Sequence, residues 1–178
     1  MLPDLSFFTF EELWSPFFFF GVALVAIGYL YWIGPWREKH LPDEPAVPAS
    51  RKLLALCGFA LFYLAQGGPL ELLGHLNFMF HMINMSLSYL IVPPLVLLGT
   101  PAFVWRRLFG AAFWRRFRWL TNPILALLLF NGLFSFYHVP AVHDFVMTNY
   151  AVHAVYYAVL LIAAFLMWWH VLSPVPEW

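Results

Sequence analysis

Cysteine is nearly absent from this 178-residue chain. Cys57 stands alone, so no intrachain disulfide can form, and the thiolate pairs of a closed structural zinc site are missing. Packing is its expected role. Charge is equally scarce: 10% of positions are charged against 63% hydrophobic, a composition that no soluble core of this size needs. No Gly-rich loop precedes a helix to cradle phosphate, no Ser/His/Asp pattern gives a nucleophile its context, and the few carboxylates are scattered. A hydrolase or phosphate-handling enzyme is therefore not expected, and the chain is read as a non-enzyme. No tandem repeat is visible, so residues 1–178 are taken as a single membrane domain.

What the chain does have is long uncharged stretches, several near the roughly 20 residues that a helix needs to cross a bilayer. Five spans are expected, at about 16–33, 53–68, 75–98, 123–139 and 150–169. The second is the least well bounded, because Gly67, Gly68 and Pro69 break its pattern. The spans must be helical, since backbone amides find no water in lipid and no alternating barrel pattern is present. The fold class is therefore all-α, a polytopic transmembrane helix bundle. Span one starts well, with Ser15 as N-cap and Pro16 at the first helical position. Without a basic n-region or a small-residue cleavage pattern it is expected to persist as an anchor.

All nine basic residues fall in two gaps: Arg37, Lys39, Arg51 and Lys52 in one, and Arg106, Arg107, Arg115, Arg116 and Arg118 in the other. By the positive-inside rule both gaps are cytoplasmic, which puts the N-terminus outside and the C-terminus inside. Among the charged residues the outer gaps then hold only acidic ones, including Glu11, Glu12, Glu71 and Asp144. Anionic lipid accounts for the basic inner face, so the bilayer is a partner and nucleic acid is not. Residues 35–50 form a hydrophilic loop in this reading. An interfacial helix is expected over 103–119, where arginines mingle with Trp105, Phe109 and Phe113.

Five of the seven histidines lie at the outer ends of the spans. In span three His81 and Met85 are one helical turn apart and share a polar stripe with Asn77, Asn84 and Ser88, while His75, Met79 and Met82 form a second stripe. Span four ends in Asn131, Ser135 and His138, and span five begins with His153 followed one turn later by Tyr157. At about 1.5 Å per residue, His81, His138 and His153 come to one depth. His143 and Met147 lie in the adjoining loop. Taken singly, such Met residues are packing filler and such Asn or Ser residues are interhelical hydrogen bonders. Buried imidazoles are costlier and call for a partner or a ligand.

Imidazole with thioether suits copper, Cu(I) above all. The candidate ligands are His81, Met85, His138, His153, Met82, His75 and His143, supported by Asn77, Asn84, Asn131 and Tyr157. His40 and His170 lie at the opposite ends and join no such layer. A hydrogen-bonded structural His layer fits the same spacing, and imidazoles on facing helices could instead clamp haem iron.

The stretch FMFHMINMSLSYLIVPPLVLLGTP resembles the signature of the CtaG-type cytochrome c oxidase assembly factors. GGPLELLGH before it, and HVPAVHDF, AVHAVYY and MWWHVLSPVP after it, follow that family's pattern in the same order. The resemblance covers most of the chain beyond Gly67, with two departures: Met85 and Tyr157 stand where a second His is expected one turn after the first. It implies a multi-span protein of the bacterial cytoplasmic membrane that helps make active caa-type oxidase. Apo-oxidase subunits would be the partners, with a soluble extracytoplasmic copper carrier as donor and self-association left open. Copper delivery by ligand exchange is the expected function, with a haem protein and a metal-free assembly scaffold as the alternatives.

Overall fold

The computed structural model describes residues 7–110, 113, 116 and 122–175, and every regular element among them is helical. Three helices are long and apolar enough to cross a membrane: Pro16–His40, Phe78–Gly99 and Tyr150–Leu172. Two bent pairs raise the number of candidate spans to five, Ala49–Gln66 with Pro69–Leu76 at 41° and Pro123–Tyr137 with Pro140–Thr148 at 80°. The chain divides into two compact units, Met1–Trp105 and Arg106–Trp178, which are described separately.

The first unit opens with α1 (Phe10–Leu13), where Thr9 and Glu12 form a reciprocal capping box. Helix α2 (Pro16–Tyr31) starts as expected, the Ser15 hydroxyl accepting from the Phe18 amide at 3.3 Å. It ends later than expected. A π-helical turn at Trp32–Trp36 takes in Pro35, and the helix then continues as α3 (Arg37–His40). The wider turn accommodates the proline's missing N–H without a break. Residues 35–40 are thus helix where a loop was expected, and Arg37 is buried, its guanidinium donating to the carbonyls of Ile33 at 3.3 Å and Glu44 at 2.6 Å.

Helix α4 (Ala49–Gln66) stops at Gly67 and Gly68, and the chain resumes at Pro69 as α5 (Pro69–Leu76). The expected third span is cut two residues beyond His75 by a single extended residue: Asn77 leaves the helical region and caps α6 (Phe78–Ser86), accepting from the Met79 amide at 2.8 Å. A second π-helical turn, Leu87–Ile91, leads into α7 (Val92–Gly99), followed by α8 (Ala102–Leu108).

Small residues let these spans close on one another. A Cβ added at Gly99 would lie 2.7 Å from Ala55 Cβ, and one at Gly58 2.8 Å from Val96 Cγ2. The Tyr29 hydroxyl donates to the Gly99 carbonyl at 2.9 Å, and the Ser15 amide to the Gly67 carbonyl at 2.8 Å. The Ser15–Gly67 contact sets α4 antiparallel to α2, Gln66 meeting Asn84 and Ser88 with Gly99 against Ala55 sets the α6–α7 stretch antiparallel to α4, and the Tyr29–Gly99 bond joins the C-terminal ends of α2 and α7. Within this unit Arg37, Arg51 and Lys52 gather at one end, and Glu71, His75 and His81 at the other.

The second unit contains α9 (Pro123–Tyr137), α10 (Pro140–Thr148) and α11 (Tyr150–Leu172). Asn122 and Asn149 cap the first and last through their side-chain oxygens. Pro140 starts α10 at its first turn, so the stretch around Asp144, expected as a loop, is helical. The Tyr156 hydroxyl donates to the Leu133 carbonyl at 2.7 Å, tying α11 to α9 as an antiparallel pair. Of the expected interfacial helix 103–119, the part up to Leu108 is helical, whereas residues 111, 112, 114, 115 and 117–119 lie outside the described residues.

Candidate metal centre

The first cluster is built on α6 and the π-helical turn after it. His81, Asn84, Met85 and Ser88 are all buried, as their shared helical face requires. Their polar groups are tied to α4. Gln66 Nε2 donates to Asn84 Oδ1 at 3.1 Å and to Ser88 Oγ at 2.8 Å, and Ser88 Oγ donates in turn to Asn84 Oδ1 at 3.2 Å. Gln66 uses one amide nitrogen to serve both partners. Gly74 on α5 faces the His81 backbone so closely that a Cβ there would lie 3.3 Å from His81 Cα. The His81 ring stacks on Phe78 at 6.1 Å.

The rest of the expected stripes does not assemble in this cluster as drawn. Asn77 is a helix cap. His75 lies on the preceding helix, largely exposed, with Nε2 3.8 Å from Glu71 one turn earlier. Met79 is exposed, and Met82 is partly buried. The cause is the backbone break at Asn77, which takes His75 off the helical register of α6.

The second cluster surrounds Tyr137, the last residue of α9 and completely buried. Its ring lies 5.3 Å from those of both His138 and His143, 5.5 Å from Tyr156 and 5.8 Å from Tyr157. The hydroxyl donates to the Met147 sulfur at 3.3 Å and lies 3.1 Å from the Tyr157 hydroxyl. His153 packs on Tyr157 with ring centroids 4.0 Å apart. His138, His143, Met147 and Tyr157 are therefore held around one aromatic hub by α9, α10 and α11, and His153 joins it through Tyr157. Asn131 stays out of it, donating to the Leu127 carbonyl of its own helix at 2.8 Å while exposed.

His138 closes α9 as its C-cap, and its Nδ1 lies 2.6 Å from the Phe134 carbonyl. A carbonyl can only accept, so in the neutral ring Nδ1 carries the proton and Nε2 the lone pair. This is the tautomer in which second-shell hydrogen bonds commonly hold a ligating imidazole. The Nε2 atoms of His81, His138 and His153 are all shielded from solvent. Among the described residues, no three His, Cys, Asp or Glu side chains gather closely enough to hold a metal ion. Among the described residues a closed site of hard or borderline ligands is thus not formed. A low-coordinate site using thioether sulfur has a different donor set, with Met85 one turn from His81 and Met147 beside the Tyr137 hub.

Three residues at the heart of these clusters lie outside the candidate set: Gln66, Tyr137 and Met147, the last noted only for its place beside the histidine layer. Gln66 is the polar residue at the end of an otherwise apolar span, a recognisable signal for an interhelical hydrogen bond. Tyr137 had no such mark, because its role depends on three helices meeting around it.

Apolar helices with buried imidazole, amide and thioether groups define a membrane protein whose polar chemistry is turned into its helical units. The chain belongs to the cytochrome c oxidase caa3 assembly factor family, whose model matches residues 27–178. No curated protein and no solved structure matches it. The match covers all of the candidate spans but the start of the first, and the family's role in oxidase assembly suggests a bacterial membrane.

Proposed function

We propose that this assembly factor binds Cu(I) through imidazole and thioether groups on the extracytoplasmic side of the membrane and passes it to an apo-oxidase. The observation that carries this reading is the cluster at the junction of α9, α10 and α11: two imidazoles, His138 and His143, and one thioether packed around Tyr137, a third imidazole, His153, on the adjoining Tyr157, and His138 held in the Nε2-ligating tautomer. His81 and Met85 supply a second imidazole–thioether pair. Soft thioether favours Cu(I), and a low coordination number lets the ion leave by ligand exchange with no covalent bond of a substrate changed. The basic gaps, placed in the cytoplasm, put both clusters on the outer side, with the N-terminus outside and the C-terminus inside. Apo-oxidase subunits are the recipients and a soluble extracytoplasmic copper carrier is a suitable donor.

A metal-free scaffold is the second reading. What favours it is the Gln66–Asn84–Ser88 network, which spends the polar stripe of α6 on holding two helices together. Metal analysis with an absorption spectrum of the purified protein separates the readings. Copper without a Soret band supports delivery, a Soret band supports haem, and neither supports the scaffold.

A further inference from the structure

The Tyr137 hydroxyl has one proton, and within its reach lie the Met147 sulfur at 3.3 Å and the Tyr157 oxygen at 3.1 Å. As placed, it donates to the sulfur. A thioether is a weak acceptor, and the electron density it gives to an O–H is density it cannot fully give to a metal. Turning about the C–O bond moves the proton from sulfur towards the Tyr157 oxygen without moving a ring.

We propose that Met147 is the thioether ligand of the copper site in the second unit, and that the Tyr137 hydroxyl sets its affinity by donating to Met147 sulfur in the metal-free state and to Tyr157 in the loaded state. The proposal rests on the Cu(I) reading above and deepens it. Tyr137 is a positioning residue: it acts through Met147 and touches no metal. Its buried ring also holds the neighbouring imidazoles, so the same residue that fixes the ligands limits how tightly they bind. Loading needs no proton to leave the protein, because the O–H only changes acceptor. A carrier that must release its cargo gains from such competition, since the hydroxyl returns to the sulfur as the ion departs.

The two tyrosines therefore have opposite effects. Tyr137→Phe removes the competing donor and raises Cu(I) affinity, whereas Tyr157→Phe removes the alternative acceptor, keeps the proton on sulfur and lowers it. Each change is about two- to tenfold, the range that one net hydrogen bond corresponds to. Met147→Leu conserves volume, lowers affinity by tenfold or more and makes Tyr137→Phe silent in the double variant. The experiment is a Cu(I) competition titration with a chromophoric chelator on the full chain in detergent, with thermal unfolding of each variant run beside it. A purely packing role for the tyrosines would shift stability and leave affinity unchanged or move it the same way in both variants, which would overturn the proposal. Copper binding that survives Met147→Leu unchanged would overturn it while leaving the Cu(I) reading intact. Absence of Cu(I) binding in the unaltered protein would overturn both.

Discussion

The two clusters use similar residues in different ways. In the first unit the amide and hydroxyl groups of α6 and the π-helical turn bond to Gln66 across a helix–helix contact, and the spans are locked further along by glycine and alanine. In the second, an aromatic hub gathers the polar groups, and the Tyr137 proton goes to a sulfur atom. A hydrogen bond between strong donor and acceptor serves mainly to hold helices, while a proton resting on thioether is readily displaced. Polar residues in a span can thus be glue or a site, and the partner atom decides which.

The largest expected effect that could break this comparison falls on the second cluster. His138→Asn should lower Cu(I) affinity by roughly a hundredfold, about 2.7 kcal/mol, with the protein still accumulating in the membrane. Chelator competition measures the first and membrane fractionation the second. Unchanged affinity would remove His138 from the ligand set.

Next comes Gly99→Ala in the first unit. The added methyl would collide with the Ala55 backbone nitrogen and lie 2.8 Å from Ala55 Cα, so the two helices must part. A loss of about 1–3 kcal/mol is expected, read as a lower thermal midpoint in detergent, with the copper content of the folded protein unaltered.

Gln66→Leu probes the glue itself. Removing the amide leaves Asn84 and Ser88 bonded only to each other, at a cost of about 0.6–1.7 kcal/mol by comparison with other interhelical bonds in membranes. If copper affinity fell instead while stability held, the Gln66 network would have to be regarded as support for the His81–Met85 pair rather than as glue. Met85→Leu asks the same of the sulfur, for less than about 1.5 kcal/mol of stability. Oxidase assembly should weaken only under copper limitation and recover with added copper, because lower affinity is offset by concentration. Normal assembly under limitation would leave Met85 as packing.

The smallest effect lies outside both clusters. The Thr9 amide and hydroxyl donate to the Glu12 carboxylate, with the amide the larger influence, and hold its pKa below the ordinary 4.5. A depressed carboxylate pKa adds stability above the ordinary value and loses it as pH falls through the folded one. Thr9→Ala should therefore bring the Glu12 titration, followed by NMR, towards its ordinary value, while both clusters remain unaffected. No change in that titration would show that the Thr9 hydroxyl has no part in the shift.

Much of the architecture was legible in the sequence because its physics is local. Uncharged runs long enough for a bilayer, Ser15 before Pro16, and Asn122 before Pro123 mark helices without reference to anything distant. The breaks were harder. Pro35 looks like a helix end, yet a π-helical turn carries the chain through it, and Asn77 looks like one more polar stripe residue, yet it starts a new helix. Whether a proline or asparagine ends, bends or caps depends on which backbone groups find other partners, and periodicity alone does not reveal that.

The membrane class, the segregation of basic residues from most histidines, the His81–Met85 spacing and the family signature around it can all be read from the chain alone, since each follows from composition or from residues within a few turns of one another. It takes the packed helices to show that Gln66 closes the polar stripe of α6, that Gly99 must be glycine because Ala55 lies against it, and that Tyr137 stands between two imidazoles, two tyrosines and a thioether. Those roles arise where helices far apart in sequence touch, and hydrogen bonds and steric contacts act over a few ångströms of space, regardless of how many residues separate the partners along the chain.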